Sequence, residues 1–176
     1  MRRNNLHDTF RRVQIATIEV IGRDQHAARA DVWYLSSALG SIAGMVTTDH
    51  DPDLAAATGA AEAGKLHHAI DCVAALMCAI KPGWDFKNFP YWMIQKTASN
   101  KERDRKLFLA MREIALLLND HHRTSANVNY SASRAMALVF SACGDQLIDI
   151  LIAFDEEYRQ TETIWQERRT ENMDAI

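Results

Sequence analysis

SASRAMALVFSACGDQLIDILIAF, residues 131–154, carries apolar side chains that recur at alternating spacings of four and three residues. These side chains belong to Met136, Phe140, Cys143, Leu147, Ile150 and Phe154. Such heptad spacing places them on one face of an α-helix. After a shift of one residue, the pattern continues through Tyr158, Thr161 and Trp165. The sequence therefore predicts a long C-terminal helix over about residues 131–169, whose acidic end, residues 155–176, projects or packs on another chain.

Four further stretches have helical periodicity, and no β-strand alternation persists for more than a few residues. The predicted helices cover about residues 8–21, 25–46, 52–80 and 99–122. Ser99 and Glu102 have the spacing of a capping box at the start of the last of these. The 176 residues contain no internal repeat and no linker-like composition. The chain is therefore predicted to form one all-α domain, residues 1–176, built as a bundle of about five helices.

Composition and charge narrow the possible functions. The net charge is −3, with 48% hydrophobic and 24% charged residues, which gives no general argument for nucleic acid or an anionic membrane as partner. No run of about 18 apolar residues is present, so no membrane span is expected. The three cysteines are sparse and odd in number, unlike a disulfide framework. We expect a cytoplasmic protein with reduced thiols.

The charge is unevenly distributed along the chain. Residues 81–130 carry nine basic and five acidic residues, whereas residues 131–176 carry four basic and nine acidic residues. Bands of opposite sign on separate helices could pair within the fold or between subunits, although most such charges simply face solvent.

The predicted helix over residues 99–122 is apolar on two sides. One stripe contains Leu107, Met111, Ile114 and Leu118, and Leu109 and Leu116 lie on the opposite side. A helix of this kind is either central in a bundle or in contact with a partner. Together with the long C-terminal helix, it predicts a homo-oligomer.

LHHAIDCVAALMC, residues 66–78, is rich in residue types that bind metals. On a helix, His67, Asp71 and Cys78 would share one flank, with His67 and Asp71 one turn apart, whereas His68 and Cys72 would point elsewhere. If the helices over 52–80 and 99–122 were neighbours, His67, Asp71 and His121 or His122 could hold one divalent metal. The sequence favours a core helix with a flanking His–Asp pair and no cofactor, because HExxH, ExxH and CxxC motifs are absent.

The segment over residues 81–97, KPGWDFKNFPYWMIQKT, has weak helical periodicity and holds five of the fourteen aromatic residues. They are Trp84, Phe86, Phe89, Tyr91 and Trp92. The aromatic segment could cover the bundle or bind a partner protein, and its interspersed lysines would also suit single-stranded nucleic acid. We expect a split, with Phe86 and Phe89 buried and Trp84 or Trp92 partly exposed.

These patterns favour a non-catalytic protein that binds another protein, as an inhibitor, adaptor or immunity-type regulator does. No motif of a nucleophilic or phosphate-binding site is present in the sequence. The alternatives are a metal-dependent hydrolase with the His/Asp site described above and a nucleic-acid-binding regulator that uses the basic stretch at residues 96–106.

Overall fold

The computed structural model describes residues 8, 10–15, 17–18, 30–50, 61–81 and 83–144. Four long helices dominate this part of the chain: α1 (Ala30–His50), α2 (Ala61–Ala79), α3 (Asn100–Asn119) and α4 (Ser125–Cys143). Residues 10–15 are also helical, and two single turns of 3-10 helix cover Phe86–Asn88 and Tyr91–Met93. The described residues contain no strand, which confirms the predicted all-α bundle.

Each long helix packs on two of the other three. Helix α1 packs beside α2 and α3, and α4 packs beside the same two helices, whereas no described Cα atoms of α2 and α3 approach within 8 Å of each other. The Arg123 guanidinium, just after α3, donates to the Asp31 carboxylate at the start of α1 at 3.0 Å. The Lys81 amide, just after α2, donates to the Asn129 side chain near the start of α4 at 2.9 Å. These contacts make α1 antiparallel to α3 and α2 antiparallel to α4.

The two remaining neighbouring pairs are also antiparallel. Gly44 in the second half of α1 lies so close to α2 that a methyl group added there would sit 2.9 Å from the ring of His68. The Thr97 hydroxyl, just before α3, donates to the carbonyl oxygen of Ser141 near the end of α4. The result is a four-helix bundle in which α2 and α3 lie diagonally opposite and run in the same direction.

This arrangement explains the long connection between α2 and α3. Because both helices run in the same direction, α2 ends at one end of the bundle and α3 begins at the other. The aromatic segment, residues 81–97, must therefore run along the length of the bundle, about 30 Å for helices of this size. Its second 3-10 turn packs on α4. Its apolar residues are needed to cover the side of the bundle along which it runs.

The core is formed by apolar side chains from all of these elements. Leu107 and Ile114 of α3 are fully buried, and Met111 and Leu118 are partly buried against the core, so the first predicted stripe of this helix is confirmed. The buried Gln14 side chain donates to the carbonyl oxygens of Met77 and Ile80, at 3.2 and 3.0 Å. It thereby satisfies backbone acceptors that the end of α2 leaves unpaired.

The last described helix differs from its prediction at both ends. It begins at Ser125 rather than Ser131, because the Thr124 hydroxyl caps it by accepting from the Asn127 amide at 3.2 Å. It ends at Cys143, where Gly144 adopts a φ of 75°, a conformation that terminates helices and favours glycine. The predicted continuous helix over residues 131–169 is therefore wrong at Gly144. Residues 145–176, with the rest of the heptad pattern, lie outside the described residues.

Two other helix ends are also corrected. Helix α1 continues to His50 instead of ending at Val46, and α3 ends at Asn119 instead of His122. The Arg123 side chain explains the second difference, because its guanidinium donates to the carbonyl oxygens of Leu117, Leu118 and Asp120. These bonds satisfy acceptors at the end of α3 and turn the chain toward α4.

Candidate functional site

The aromatic segment is divided between core and surface. Phe86 and Phe89 are buried, Trp84 and Tyr91 are partly buried, and Trp92 is 69% exposed. This confirms the predicted split. Among these five predicted partner-binding residues, only Trp92 presents most of its side chain to solvent, so Phe86 and Phe89 stabilise the fold and are not available to a partner.

The buried members of the segment pack around Phe10 of the N-terminal helical residues. The ring centroid of Phe10 lies 5.8 Å from that of Phe86, 4.9 Å from that of Phe89 and 5.4 Å from that of Phe140 in α4. Stacked and edge-on arrangements at these distances are favourable beyond the burial of area alone. This cluster joins the N-terminal residues, the aromatic segment and α4.

Burial suppresses ionisation of several groups in this region. It raises the pKa of the Cys78 thiol from its ordinary 9.0 to about 11 and the pKa of the Cys72 thiol still further. Burial, with a smaller contribution from Asp85, raises the pKa of the Tyr91 hydroxyl from 10.0 to about 12. All three cysteines are free of disulfide bonds. Because the thiolate is the reactive form, Cys72 and Cys78 are poor nucleophiles at neutral pH.

The predicted metal-ligand residues do not come together. His67 Nε2 lies 3.4 Å from Asp71 Oδ2 on the surface of α2. His121 and His122 occupy the exposed turn after α3, where the His122 amide donates to Asp120 Oδ1. Since α2 and α3 run in the same direction and are not neighbours in the bundle, a residue near the start of α2 and a residue beyond the end of α3 lie toward opposite ends.

The helix contact on which the His/Asp site depended is therefore not formed. Within the part of the chain that the structure describes, no three His, Cys, Asp or Glu side chains are grouped so that they could hold a metal ion.

Within the basic stretch at residues 96–106, Ser99, Glu102 and Lys106 fix the start of α3. The Ser99 hydroxyl accepts from the Glu102 amide at 3.3 Å and the Glu102 carboxylate accepts from the Ala98 amide at 2.9 Å, as the capping-box spacing predicted. The Ala98 amide, and then Lys106, lower the pKa of the Glu102 carboxyl. The Lys106 ammonium also donates to Gln95 and Thr97. The ammonium group of Lys106 therefore stabilises the fold and is not available to a ligand.

A cavity of about 360 Å³ lies between the start of α3, residues 95–98 and the end of α4. Its hydroxyl groups are engaged by the fold: Ser141 Oγ donates to the Gln95 carbonyl, Thr97 donates to the Ser141 carbonyl, and Ser99 caps α3. These bonds attach the end of the aromatic segment to α3 and α4.

The outer face of α3 is the largest group of exposed apolar side chains on a single described helix. Phe108 is 55% exposed, Leu109 38% and Leu116 57%. Three exposed basic residues lie among them on the same side of the helix: Lys101, Arg105 and Arg112. We refer to these six residues as the α3 outer face. It lies opposite the buried side of α3, which consists of Leu107, Ala110, Ile114 and Leu117.

Both ends of α3 are fixed, so the α3 outer face is held on a rigid support. The capping box closes its first turn, and the Arg123 bonds close its last. On the side toward α4, Arg134 forms an ion pair with Glu113 at 3.3 Å and donates to the hydroxyl oxygen of Tyr130 at 3.0 Å. Tyr130 is itself 60% exposed, which extends this surface onto α4 with a polar edge.

The sequence pattern predicts part of this surface. Leu109 and Leu116 lie opposite the core stripe, a pattern typical of a helix that is central in a bundle or in contact with a partner. The pattern does not single out Phe108, because its angular position on the helix lies between the two stripes and only the placement of the neighbouring helices leaves it exposed.

Comparisons with protein-family models, with curated proteins and with solved structures give no match to this chain. Among the described residues, no helix combines the length and the hydropathy that crossing a membrane requires.

Proposed function

We propose that this protein acts by binding another protein, and that the α3 outer face is its contact surface. The observation that carries the proposal is the exposure of Phe108, Leu109 and Leu116 together on one helix. Isolated exposed apolar residues are ordinary on any protein, but a group of large ones surrounded by polar side chains is typical of an interaction site.

The energetics support this assignment. Full burial of a leucine or phenylalanine side chain contributes about 1.5–3 kcal/mol, and each of these three side chains is already partly covered. Burial of the whole group by a partner would therefore yield several kcal/mol. The mixture of an aromatic residue, leucines and arginines also resembles the composition of interface centres, in which aromatic residues and arginine are enriched.

In this proposal the protein has no catalytic role of its own and acts through occupancy of its partner, as an inhibitor, adaptor or immunity-type regulator in the cytoplasm does. A homo-oligomer is part of the same proposal, because a surface of this kind and the heptad pattern beyond Gly144 are both suited to self-association. Trp92 is a separate exposed residue on the aromatic segment and is the natural control for an effect specific to α3.

The test is affinity capture with the immobilised full chain from an extract of its native source, followed by identification of the bound proteins and titration of the purified candidate. We compare the wild type with a double variant, Leu109→Ser with Leu116→Ser, and with Trp92→Ser as the matched control. Circular dichroism shows whether each variant is folded.

We expect the candidate partner to bind the wild type and the Trp92→Ser variant but not the double variant. Equal binding to the folded double variant would exclude the α3 outer face. Binding of a generic oligonucleotide that weakens steeply with salt would instead support the nucleic-acid alternative.

A further inference from the structure

The charge of the α3 outer face restricts what can dock on it. Lys101, Arg105 and Arg112 are exposed among its apolar side chains. If two copies met face to face, these cations would be brought together, and like charges across an interface are strongly unfavourable. An occupant that buries the leucines must therefore carry acidic groups beside its own apolar side chains.

The chain contains such a segment outside the described residues. Residues 155–167, DEEYRQTETIWQE, hold five acidic residues and one basic residue. Tyr158 and Trp165 are seven residues apart, which is the separation of Leu109 and Leu116 in α3. Glu162 lies between Tyr158 and Trp165 as Arg112 lies between the two leucines. On a helix, each set would form one face with an apolar residue on either side of a charge.

We propose that residues 155–167 of a second copy of this chain dock on the α3 outer face. The inference rests on the proposed function, in which this face is a binding surface, and names one of its occupants. In a parallel arrangement, Tyr158 lies against Leu109 and Trp165 against Leu116. In an antiparallel arrangement the two aromatic residues exchange places. Glu162 is level with Arg112 in the antiparallel arrangement and one residue from it in the parallel one, so that ion pair is the feature to test.

Docking on a second copy, rather than on the same one, is the arrangement that also accounts for the homo-oligomer of the proposed function. Two copies that exchange their acidic segments form a closed pair with two-fold symmetry, in which both faces are covered. The exchange also regulates the proposed function, because another protein that binds the α3 outer face must first displace the segment.

The experiment is sedimentation velocity of the full chain, with charge reversal at each side of the ion pair. The variants are Arg112→Glu, Glu162→Arg and the protein with both changes, and Lys87→Glu is the control because it reverses an exposed lysine on the aromatic segment. Arg112 is exposed, and circular dichroism verifies the fold of each variant.

We expect the wild type and Lys87→Glu to form dimers. Each single reversal should weaken dimerisation by about tenfold or more, since like charges then face each other at both contacts. The doubly changed protein should recover its dimer. A mixture of the Arg112→Glu and Glu162→Arg proteins should also form a dimer, because each segment then meets a face of opposite charge on the other copy.

Three results would overturn the inference: a wild type that remains a monomer of about 20 kDa at micromolar concentration, a dimer that tolerates Arg112→Glu, or the same loss with Lys87→Glu. A monomer that sediments with vesicles of anionic lipid would assign the face to a membrane surface and would also overturn it. The proposed function has its own test and fails if the captured partner still binds the folded double variant, Leu109→Ser with Leu116→Ser.

Discussion

Tyr91 carries a hydroxyl group whose oxygen is buried and has no hydrogen-bond partner among the described residues. A buried polar group without a partner has lost its bonds to water and costs about 1–3 kcal/mol. We therefore expect Tyr91→Phe to leave the free energy of unfolding unchanged or to raise it by about 1 kcal/mol. Urea unfolding measures the effect, with Tyr130→Phe as the control, since that variant loses a hydrogen bond to Arg134. A clear loss of stability in Tyr91→Phe would show that the buried hydroxyl group does form a stabilising hydrogen bond.

Cys78 gives the fold a sensitivity to alkaline pH. Burial raises the pKa of its thiol from 9.0 to about 11, so the unfolded chain releases this proton at lower pH than the folded protein does. The associated stability is complete below pH 9 and is lost as the pH rises toward 11. Tyr91, whose pKa is raised from 10.0 to about 12, acts in the same direction at slightly higher pH.

We expect the free energy of unfolding to fall by roughly 2 kcal/mol more between pH 8.5 and pH 11 in the wild type than in Cys78→Ala. Urea unfolding over this range makes the comparison, and only the slope with pH matters, because the substitution itself also leaves a small cavity. Equal slopes in the two proteins would show that the thiol ionises as freely in the fold as in water.

His67 and Asp71 form an exposed pair on α2, with side chains that are 75% and 49% accessible. Exposed ion pairs typically contribute less than about 1 kcal/mol. We therefore expect His67→Ala to lower the free energy of unfolding by no more than that, and a chelator to leave the melting temperature unchanged. A stoichiometric bound metal, or a change of many degrees in the melting temperature on chelation, would support the metal-dependent hydrolase alternative.

At the scale of the elements, the aromatic segment combines structural and exposed residues within one connection. Phe86 is fully buried and Trp92 is 69% exposed, although they are six positions apart. We expect Phe86→Ala to lower the free energy of unfolding by about 3–5 kcal/mol, the range for emptying a buried aromatic site. Trp92→Ala should lower it by less than about 1 kcal/mol. Denaturant unfolding measures both losses, and a larger loss for Trp92→Ala than for Phe86→Ala would contradict the described packing.

Some helix boundaries could be predicted from the sequence and others could not, even where the residues that set them are neighbours in the chain. Ser99 and Glu102 marked the start of α3, because a capping box involves only one turn of chain. The end of α4 at Gly144 is not apparent from the sequence, since the apolar pattern continues beyond it and a single glycine is tolerated within many helices. The end of α3 at Asn119 depends on Arg123, whose bonds also reach Asp31 in α1, and such a distant contact has no local signature.

At the scale of the whole molecule, the bundle itself could be predicted but the order of helices around it could not. Periodicity shows that a helix has an apolar side, yet several arrangements of neighbours bury that side equally well. The diagonal placement of α2 and α3 separates His67 and Asp71 from His121 and His122, and it also requires the aromatic segment to span the bundle. Both consequences follow from the arrangement and not from any single helix.

The same reasoning explains what could be predicted of the candidate site. Leu109 and Leu116 were identifiable because they lie opposite a core stripe. The exposure of Phe108 depends on how α1 and α4 border α3, which only the assembled bundle determines. The α3 outer face is thus a property of the packed molecule and the central element of the proposed function.

Hydroxyl-radical footprinting tests this central claim most directly, because it reports the solvent accessibility of individual side chains. The full chain is labelled alone, at a concentration where single copies dominate, and in the complex recovered by affinity capture. We expect Phe108, Leu109 and Leu116 to react in the free protein and to be protected in the complex, while Trp92 reacts equally in both. Protection of Trp92 with an unchanged α3 outer face would contradict the account.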